Sequence, residues 1–183
     1  MDHTDEALIA EYLNGTEESF KILIDRYTPI LYNFSRRFVG ITYAADIVQD
    51  VFVKAWRNIR KFDPTRSLFK TWVFTITRNT ITDFLRKKKS VAFTDIDLPD
   101  EESFADTVID QAELPDEALS KVQDAEHLNE LLSKLSPQYQ AVLTLYYQEE
   151  MTFAQIGEAL GKPLNTVKSH HRRALEQLRK FSQ

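Results

Sequence analysis

Residues 152–180 read TFAQIGEALGKPLNTVKSHHRRALEQLRK, two amphipathic patterns separated by Gly161-Lys162-Pro163-Leu164. Thr152 and Gln155 have the spacing of a capping box, and Met151 and Ile156 stand where a hydrophobic staple fixes the entering chain. Ile156, Ala159 and Leu160 share one face; Gly161 is suited to the left-handed residue that ends a helix, and Pro163 blocks its continuation. Asn165 is expected to cap the next helix, in which Val167, Ala174 and Leu178 repeat at helical spacing. That leaves Lys168, Ser169, Arg172 and Arg173 largely outward, so the first turns are apolar behind and basic in front. A helix pair of this form is the grammar of a helix-turn-helix whose second member enters the major groove of DNA.

The plainer reading is a helical hairpin with a solvated basic face, and these residues alone leave both readings open. His171 lies nearer the apolar seam than the open face and reads as a packing residue. His170 beside it points about 100° away around the helix, which argues against a shared metal.

The 183-residue chain contains no cysteine, so disulfides and thiolate metal sites are excluded, in keeping with a reducing cytoplasm. Its acidic first residues, Met1-Asp2-His3-Thr4-Asp5-Glu6, lack the charged-then-apolar pattern of a secretion signal, and no apolar run is long enough for membrane insertion. Glycine is sparse and long helical patterns are plentiful, which predicts an all-α fold. No cofactor motif is found; in particular there is no glycine-rich phosphate loop.

A net charge of −5 is unexpected for a DNA-binding chain until it is divided along the sequence. Residues 1–89 carry 15 Lys or Arg against 11 Asp or Glu, and residues 121–183 carry 8 against 7, whereas residues 90–120 carry 10 acids and no base. The last stretch includes Pro99, Pro115 and Asp100-Glu101-Glu102 and shows no sustained apolar period. It reads as an acidic flexible linker between two small helical domains, 1–89 and 121–183.

The first domain divides into four helical segments. One runs from about Asp5 to Asn14, with Gly15 as its stop. Thr16 caps a second that reaches about Val39 with a bend or break at Pro29. Ala44 to Ile59 forms the third, with Ile47, Val48, Val51, Ala55 and Ile59 as its apolar stripe. Ser67 is expected to cap the fourth, which runs to about Lys89. Opposite the stripe of the third lie Asp46, Gln49, Asp50, Lys54 and Arg57. Asp46 and Asp50 repel one another at i, i+4, a pattern that a solvated face explains and a partner would explain better. The fourth carries Trp72, Asn79, Asp83 and Arg86 along one track, with Thr75, Arg78 and Thr82 beside it and Arg86-Lys87-Lys88-Lys89 at its end. Basic groups neutralise phosphate, and an aromatic ring with an amide can hold an unstacked base, so this surface suits single-stranded DNA. Equally, a tryptophan is often core, and a basic last turn is favoured by the helix dipole.

Asp46-Ile47-Val48-Gln49-Asp50-Val51-Phe52-Val53-Lys54-Ala55-Trp56, Phe69-Lys70-Thr71-Trp72 and Thr77-Arg78-Asn79 together resemble region two of bacterial sigma factors of the sigma-70 family. Leu135-Ser136-Pro137, Thr152 to Gly161, Thr166-Val167-Lys168-Ser169 and Arg173-Ala174 resemble region four. The two cover nearly all of the chain outside the linker, in order, and nothing like region three intervenes, so the resemblance is to the extracytoplasmic-function (ECF) group. It implies a transcription initiation subunit that binds core RNA polymerase and directs promoter recognition and DNA melting for a stress or envelope regulon, commonly restrained by an anti-sigma factor. It further implies that Asp46, Gln49 and Asp50 bind polymerase. The loop from Phe62 and Asp63 to Ser67, with Trp72, Arg78, Asn79, Asp83 and Arg86, would take the single-stranded minus-ten element. Thr166, Lys168, Ser169, Arg172 and Arg173 would read the duplex minus-thirty-five element, and the acidic linker would thread the RNA exit path. Melting would proceed by trapping unpaired bases, without ATP.

This chain departs from the family pattern at His170 and His171, where arginine and an aliphatic residue are commoner. Leu175, Glu176 and Gln177 make the last helix less basic than is usual, which bears on phosphate contacts and salt dependence. A DNA-binding regulator that ignores polymerase would share the final helix pair but has no need of the Asp46 to Trp56 helix. A protein-binding helical adaptor would need neither basic surface. For an enzyme, His3, His127, His170 and His171 show no metal-ligand spacing, and no acid pair is framed by a catalytic motif.

Overall fold

The structure, a computed structural model, describes residues 3–91 and 130–181. The expected linker, residues 90–120, lies outside the described residues except for its first two positions, and so does the stretch 121–129 assigned to the second domain. Among the described residues every regular element is helical. In order they are α1 (Asp5–Leu13), α2 (Glu17–Val39), α3 (Ile41–Asn58) with a 3₁₀ turn at Ile59–Lys61, and α4 (Phe69–Val91). Then follow α5 (Pro137–Leu143), prolonged by a π-turn at Thr144–Gln148, α6 (Phe153–Leu160) and α7 (Leu164–Phe181).

Helices α1 to α4 form the front bundle. Leu23, Tyr27, Leu31 and Phe34 recur along one face of α2 and meet Ile47, Val51 and Ala55 of α3 and Phe69, Val73 and Phe74 of α4; all are buried. Each side chain of this size contributes about 1.5–3 kcal/mol by leaving water. Edge-to-face ring pairs, Tyr27 with Phe69 at 5.3 Å and Phe34 with Phe74 at 5.2 Å, fix how α4 crosses α2. The Tyr27 hydroxyl donates to the Asp5 carboxylate, which Arg26 also binds at 2.6 Å, so the start of α1 is tied to the middle of α2.

Several sequence expectations need adjustment. Pro29 does not break α2, which is continuous from Glu17 to Val39. Its missing N–H would have bonded the carbonyl of Asp25, and both residues are exposed, so water can serve that carbonyl instead. Helix α3 starts three residues earlier than Ala44, directly after Gly40. Ser67 does not cap α4: its hydroxyl donates to the Leu68 carbonyl at 3.3 Å, and the helix opens at Phe69.

In the rear module, a helical turn at residues 130–133 places Leu131, Leu132 and Leu135 against Leu143, Ala174, Leu175 and Leu178. Thr152 and Gln155 form the expected capping box, with the Thr152 amide donating to Gln155 Oε1 at 2.8 Å and the Gln155 amide to Thr152 Oγ1 at 3.3 Å. Gly161 ends α6 at φ +62°, in the left-handed region. Asn165, however, is already the second residue of α7 and not its cap. The helix starts two residues earlier than that cap would allow, because the Val167 amide bonds back to the Pro163 carbonyl at 3.1 Å.

The two modules touch. Helix α4 packs along α6, α2 meets α5, and Phe69, Val73 and Phe74 belong to the same buried cluster as Leu145, Met151 and Ile156.

Candidate nucleic-acid interface

Three surfaces hold the side chains singled out from the sequence. On α3, Asp46, Gln49 and Asp50 are all exposed, because Ile47, Val48 and Val51 take the opposite face into the core. Gln49 also borders a shallow apolar groove between α2 and α3, lined by Phe20, Ile24, Val48, Phe52, Val53 and Trp56. Trp56 remains 55% exposed while its indole N–H donates to the Tyr12 hydroxyl at 2.7 Å. The helical period of α3 had marked its acidic face; the groove depends on how α2 lies beside it and was not read from sequence.

The second surface is α4 with the loop before it. Phe62 is half-buried and packs tilted on Trp72 at 5.3 Å and edge-on to Phe69 at 5.8 Å. Trp72, itself half-buried, therefore braces the loop. Asp63 accepts from the Thr65 amide at 2.9 Å and the Thr65 hydroxyl at 2.6 Å, a closed turn. Those hydrogen bonds hold its carboxyl below the usual range, so it is an anion at neutral pH. Two helical turns on, Arg78 donates to the Asn79 side-chain oxygen at 2.8 Å, and Asn79 is exposed. Asp83 binds Arg86 at 2.9 Å and lies 3.9 Å from Lys54 of α3, whose ammonium also donates to Thr80 at 3.0 Å. This face offers an exposed amide flanked by guanidinium groups, and its carboxylates are each engaged by neighbouring groups.

The third surface is α7. Val167, Ala174, Leu175 and Leu178 are buried, and Lys168 and Arg172 are exposed one turn apart. Thr166, Ser169 and Arg173 are partly covered. His171 packs among Tyr146, Tyr147 and Phe153 with ring centroids 4.8–5.6 Å away, as the packing reading expected. His170 meets Tyr139 edge-on at 5.4 Å. Its burial, with Lys162 and Arg173 adding positive charge nearby, pushes its pKa down and favours the neutral ring. Gly157, which sequence reading passed over, is buried at the crossing of α6 with the turn.

Two family patterns match this chain in series: Sigma-70 region 2 over residues 23–91 and Sigma-70, region 4 over residues 131–180. The ECF RNA polymerase sigma factor SigW of Bacillus subtilis is 31% identical over 175 residues, spanning 94% of this chain and 93% of the relative. The chain belongs to the ECF sigma factors. RpoE of Cereibacter sphaeroides, another ECF sigma factor, is 29% identical across 97% of this chain and 88% of its own length. Among solved structures, CnrH in complex with the cytosolic domain of CnrY superposes with a TM-score of 0.63 at 24% identity, covering 97% of this chain and 96% of that one. The sigma factor RpoE of Bartonella quintana, in complex with the anti-sigma factor NepR, gives 0.63 at 23% identity over 89% and 96%. At that identity the superpositions establish the fold. An ECF sigma factor is a transcription initiation factor, and among the described residues no helix is long and apolar enough to cross a membrane.

Proposed function

We propose that residues 1–89 grip core RNA polymerase and capture the minus-ten strand, that residues 121–183 dock on the minus-thirty-five duplex, and that residues 90–120 join them. Asp46, Gln49 and Asp50 supply the polar part of the polymerase contact, and the groove beside Gln49 supplies apolar area. Asn79 offers its amide to a bared base, with Phe62, Asp63 and Trp72 shaping the pocket floor and Arg78, Asp83 and Arg86 along the strand. Lys168, Ser169, Arg172, Arg173 and Thr166 face the duplex.

The observation that carries this reading is the ordered pair of region matches on a chain whose α3, α4 and α7 each turn a distinct polar face outward. The protein acts in the cytoplasm, where polymerase is, and has no catalytic role of its own: it lowers the cost of melting by binding unpaired bases. Because one superposing chain, the sigma factor RpoE of Bartonella quintana, is seen bound to the anti-sigma factor NepR, and another, CnrH, to the cytosolic domain of CnrY, a protein inhibitor competing for the same surfaces is the expected restraint. The deciding experiment is transcription in a purified system. Core polymerase plus this chain should initiate at selected promoters from a genomic library, and core polymerase alone should not. Indistinguishable start sites with and without the chain would refute the reading.

A further inference from the structure

A lysine of α3 reaches across to the strand-facing side of α4. The Lys54 ammonium donates to the Thr80 hydroxyl at 3.0 Å, and that hydroxyl in turn donates to the Ile76 carbonyl at 2.9 Å, so its lone pairs are left for Lys54. Thr80 is buried, and the bond therefore holds the ammonium at the crossing of α3 with α4. From there Lys54 lies 3.9 Å from Oδ2 of Asp83, while Oδ1 of the same carboxylate accepts from Nη2 of Arg86 at 2.9 Å. Both positions that Lys54 bridges border Asn79: Thr80 follows it directly, and Asp83 stands one turn on. Lys54 itself lies one turn beyond Asp50 on α3.

We propose that Lys54 is a positioning residue for strand capture: by sharing the Asp83 carboxylate it keeps the Arg86 guanidinium available to the phosphates beside Asn79. Asp83 and Arg86 stand three residues apart on α4 and would by themselves form a self-neutralising pair on the face that must receive a polyanion. With Lys54 on its other oxygen the carboxylate lies between two cations, and the three groups together carry a net positive charge. Lys54 takes part of the attraction that would otherwise hold Arg86 to its own helix. Arg86 is the more exposed of the two cations, and its guanidinium has further N–H donors beyond the one given to Asp83. Lys54 thus acts through Asp83 and not on the strand itself. The strand role of Asn79 and Arg86 is the one proposed above, and this role for Lys54 rests on it.

The test is retention of fork-junction DNA by core polymerase loaded with each variant, with polymerase affinity titrated in parallel. The DNA carries, as a single-stranded overhang, the minus-ten stretch of a promoter recovered in the transcription experiment above. Lys54→Gln removes the charge but keeps a hydrogen-bonding group. It should lower retention by at least about fivefold, the scale of one weakened charge-assisted contact, with polymerase affinity unchanged. Lys54→Arg, which keeps the charge, should stay within about twofold of the parent. In an Asp83→Asn background, where no carboxylate competes for Arg86, the Lys54→Gln exchange should cost less than about twofold. A loss of undiminished size in that background would mean that the ammonium meets the strand directly, and an equal loss of polymerase affinity would make Lys54 part of the polymerase contact. Either result overturns the positioning role. Asn79→Ala is run beside them. If it loses retention and Lys54→Gln does not, the role of Lys54 alone falls; if neither does, the strand reading falls with it.

Discussion

Gly157 and Lys162 clasp the turn of the rear helix pair: the Lys162 amide donates to the Gly157 carbonyl at 2.9 Å, and a Cβ on Gly157 would come within 2.8 Å of the Lys162 carbonyl oxygen. The neighbour is backbone, which a rotamer change cannot move aside. Gly157→Ala gains up to about 1 kcal/mol of helix propensity, but overpacking of this kind costs about 1–3 kcal/mol. The expected net result is a lower urea midpoint, with weaker duplex binding in parallel as α7 loses its angle to α6. A midpoint at or above that of the parent would show that the turn relaxes freely.

His170 gives the rear module a pH dependence whose sign follows from its depressed pKa. Its neutral ring is favoured in the fold, where it meets Tyr139 and lies near Lys162 and Arg173. As pH falls through the ordinary histidine value of about 6.5, the unfolded chain takes up the proton first, so stability declines until the folded pKa is reached. Above that window both states are neutral and the effect vanishes. Comparing urea midpoints at neutral and mildly acidic pH, His170→Gln should lose less stability on acidification than the parent. Equal losses would assign the acid sensitivity to other groups.

The sequence was most informative where local chemistry and tertiary packing agree. Thr152 and Gln155 are three residues apart and need only each other, so their capping box was legible; so was the left-handed Gly161. Ser67 and Asn165 had the right chemistry for caps but were overruled, because the ring packing of Phe69 and the bond from Val167 to Pro163 set those helix starts. Pro29 keeps its helix because the lost bond faces water. The 3.6-residue period places Asp46, Gln49 and Asp50 of α3, Asn79 and Arg86 of α4 and Lys168 and Arg172 of α7 outward, as they are found, whereas Ser169 and Arg173, expected outward too, are partly covered. What lies against them did not follow: the groove beside Gln49 and the α4–α6 contact join residues far apart in the chain, and the packing of Phe62 on Trp72 depends on how the intervening loop folds back, none of which a periodic pattern within one helix can report.

Asp50 tests the polymerase contact. It is exposed on α3 within a turn of Asp46, so reversing its charge leaves the bundle core untouched. Asp50→Lys should weaken binding to core polymerase at least about tenfold, the scale of one lost close charge pair at an interface, and the loss should shrink with added salt. Co-elution and fluorescence titration with core polymerase measure it. Unchanged affinity, with normal thermal unfolding, would remove Asp50 from that surface.

Asn79 separates melting from assembly. Its exposed amide is steadied by Arg78 and lies on α4, away from the acidic face of α3. Asn79→Ala should leave polymerase affinity at the parent level and reduce open-complex formation, followed by permanganate reactivity of unpaired thymines. A premelted promoter should recover little of the loss, since the missing contact is to the base and not to the duplex. Equal losses in polymerase binding and melting would argue against a base contact.

Lys168 decides whether α7 reads sequence or only charge. It is exposed in the second turn of the helix, with buried Val167 fixing the helix rotation behind it. An ammonium on a base edge discriminates among sequences, whereas on a phosphate it contributes equally to all of them and adds about one unit to the salt slope. Lys168→Ala should therefore cost about 1–3 kcal/mol on the preferred upstream duplex and much less on a scrambled one, with the salt slope preserved. The opposite pattern, a uniform loss with a slope shallower by about one, would move Lys168 to the backbone. Base selection would then fall to Ser169, Arg172 and Arg173, of which only Arg172 is exposed and the other two are partly covered. Because His170 and His171 are turned toward Tyr139 and toward Tyr146, Tyr147 and Phe153, neither is placed to take over that task without repacking.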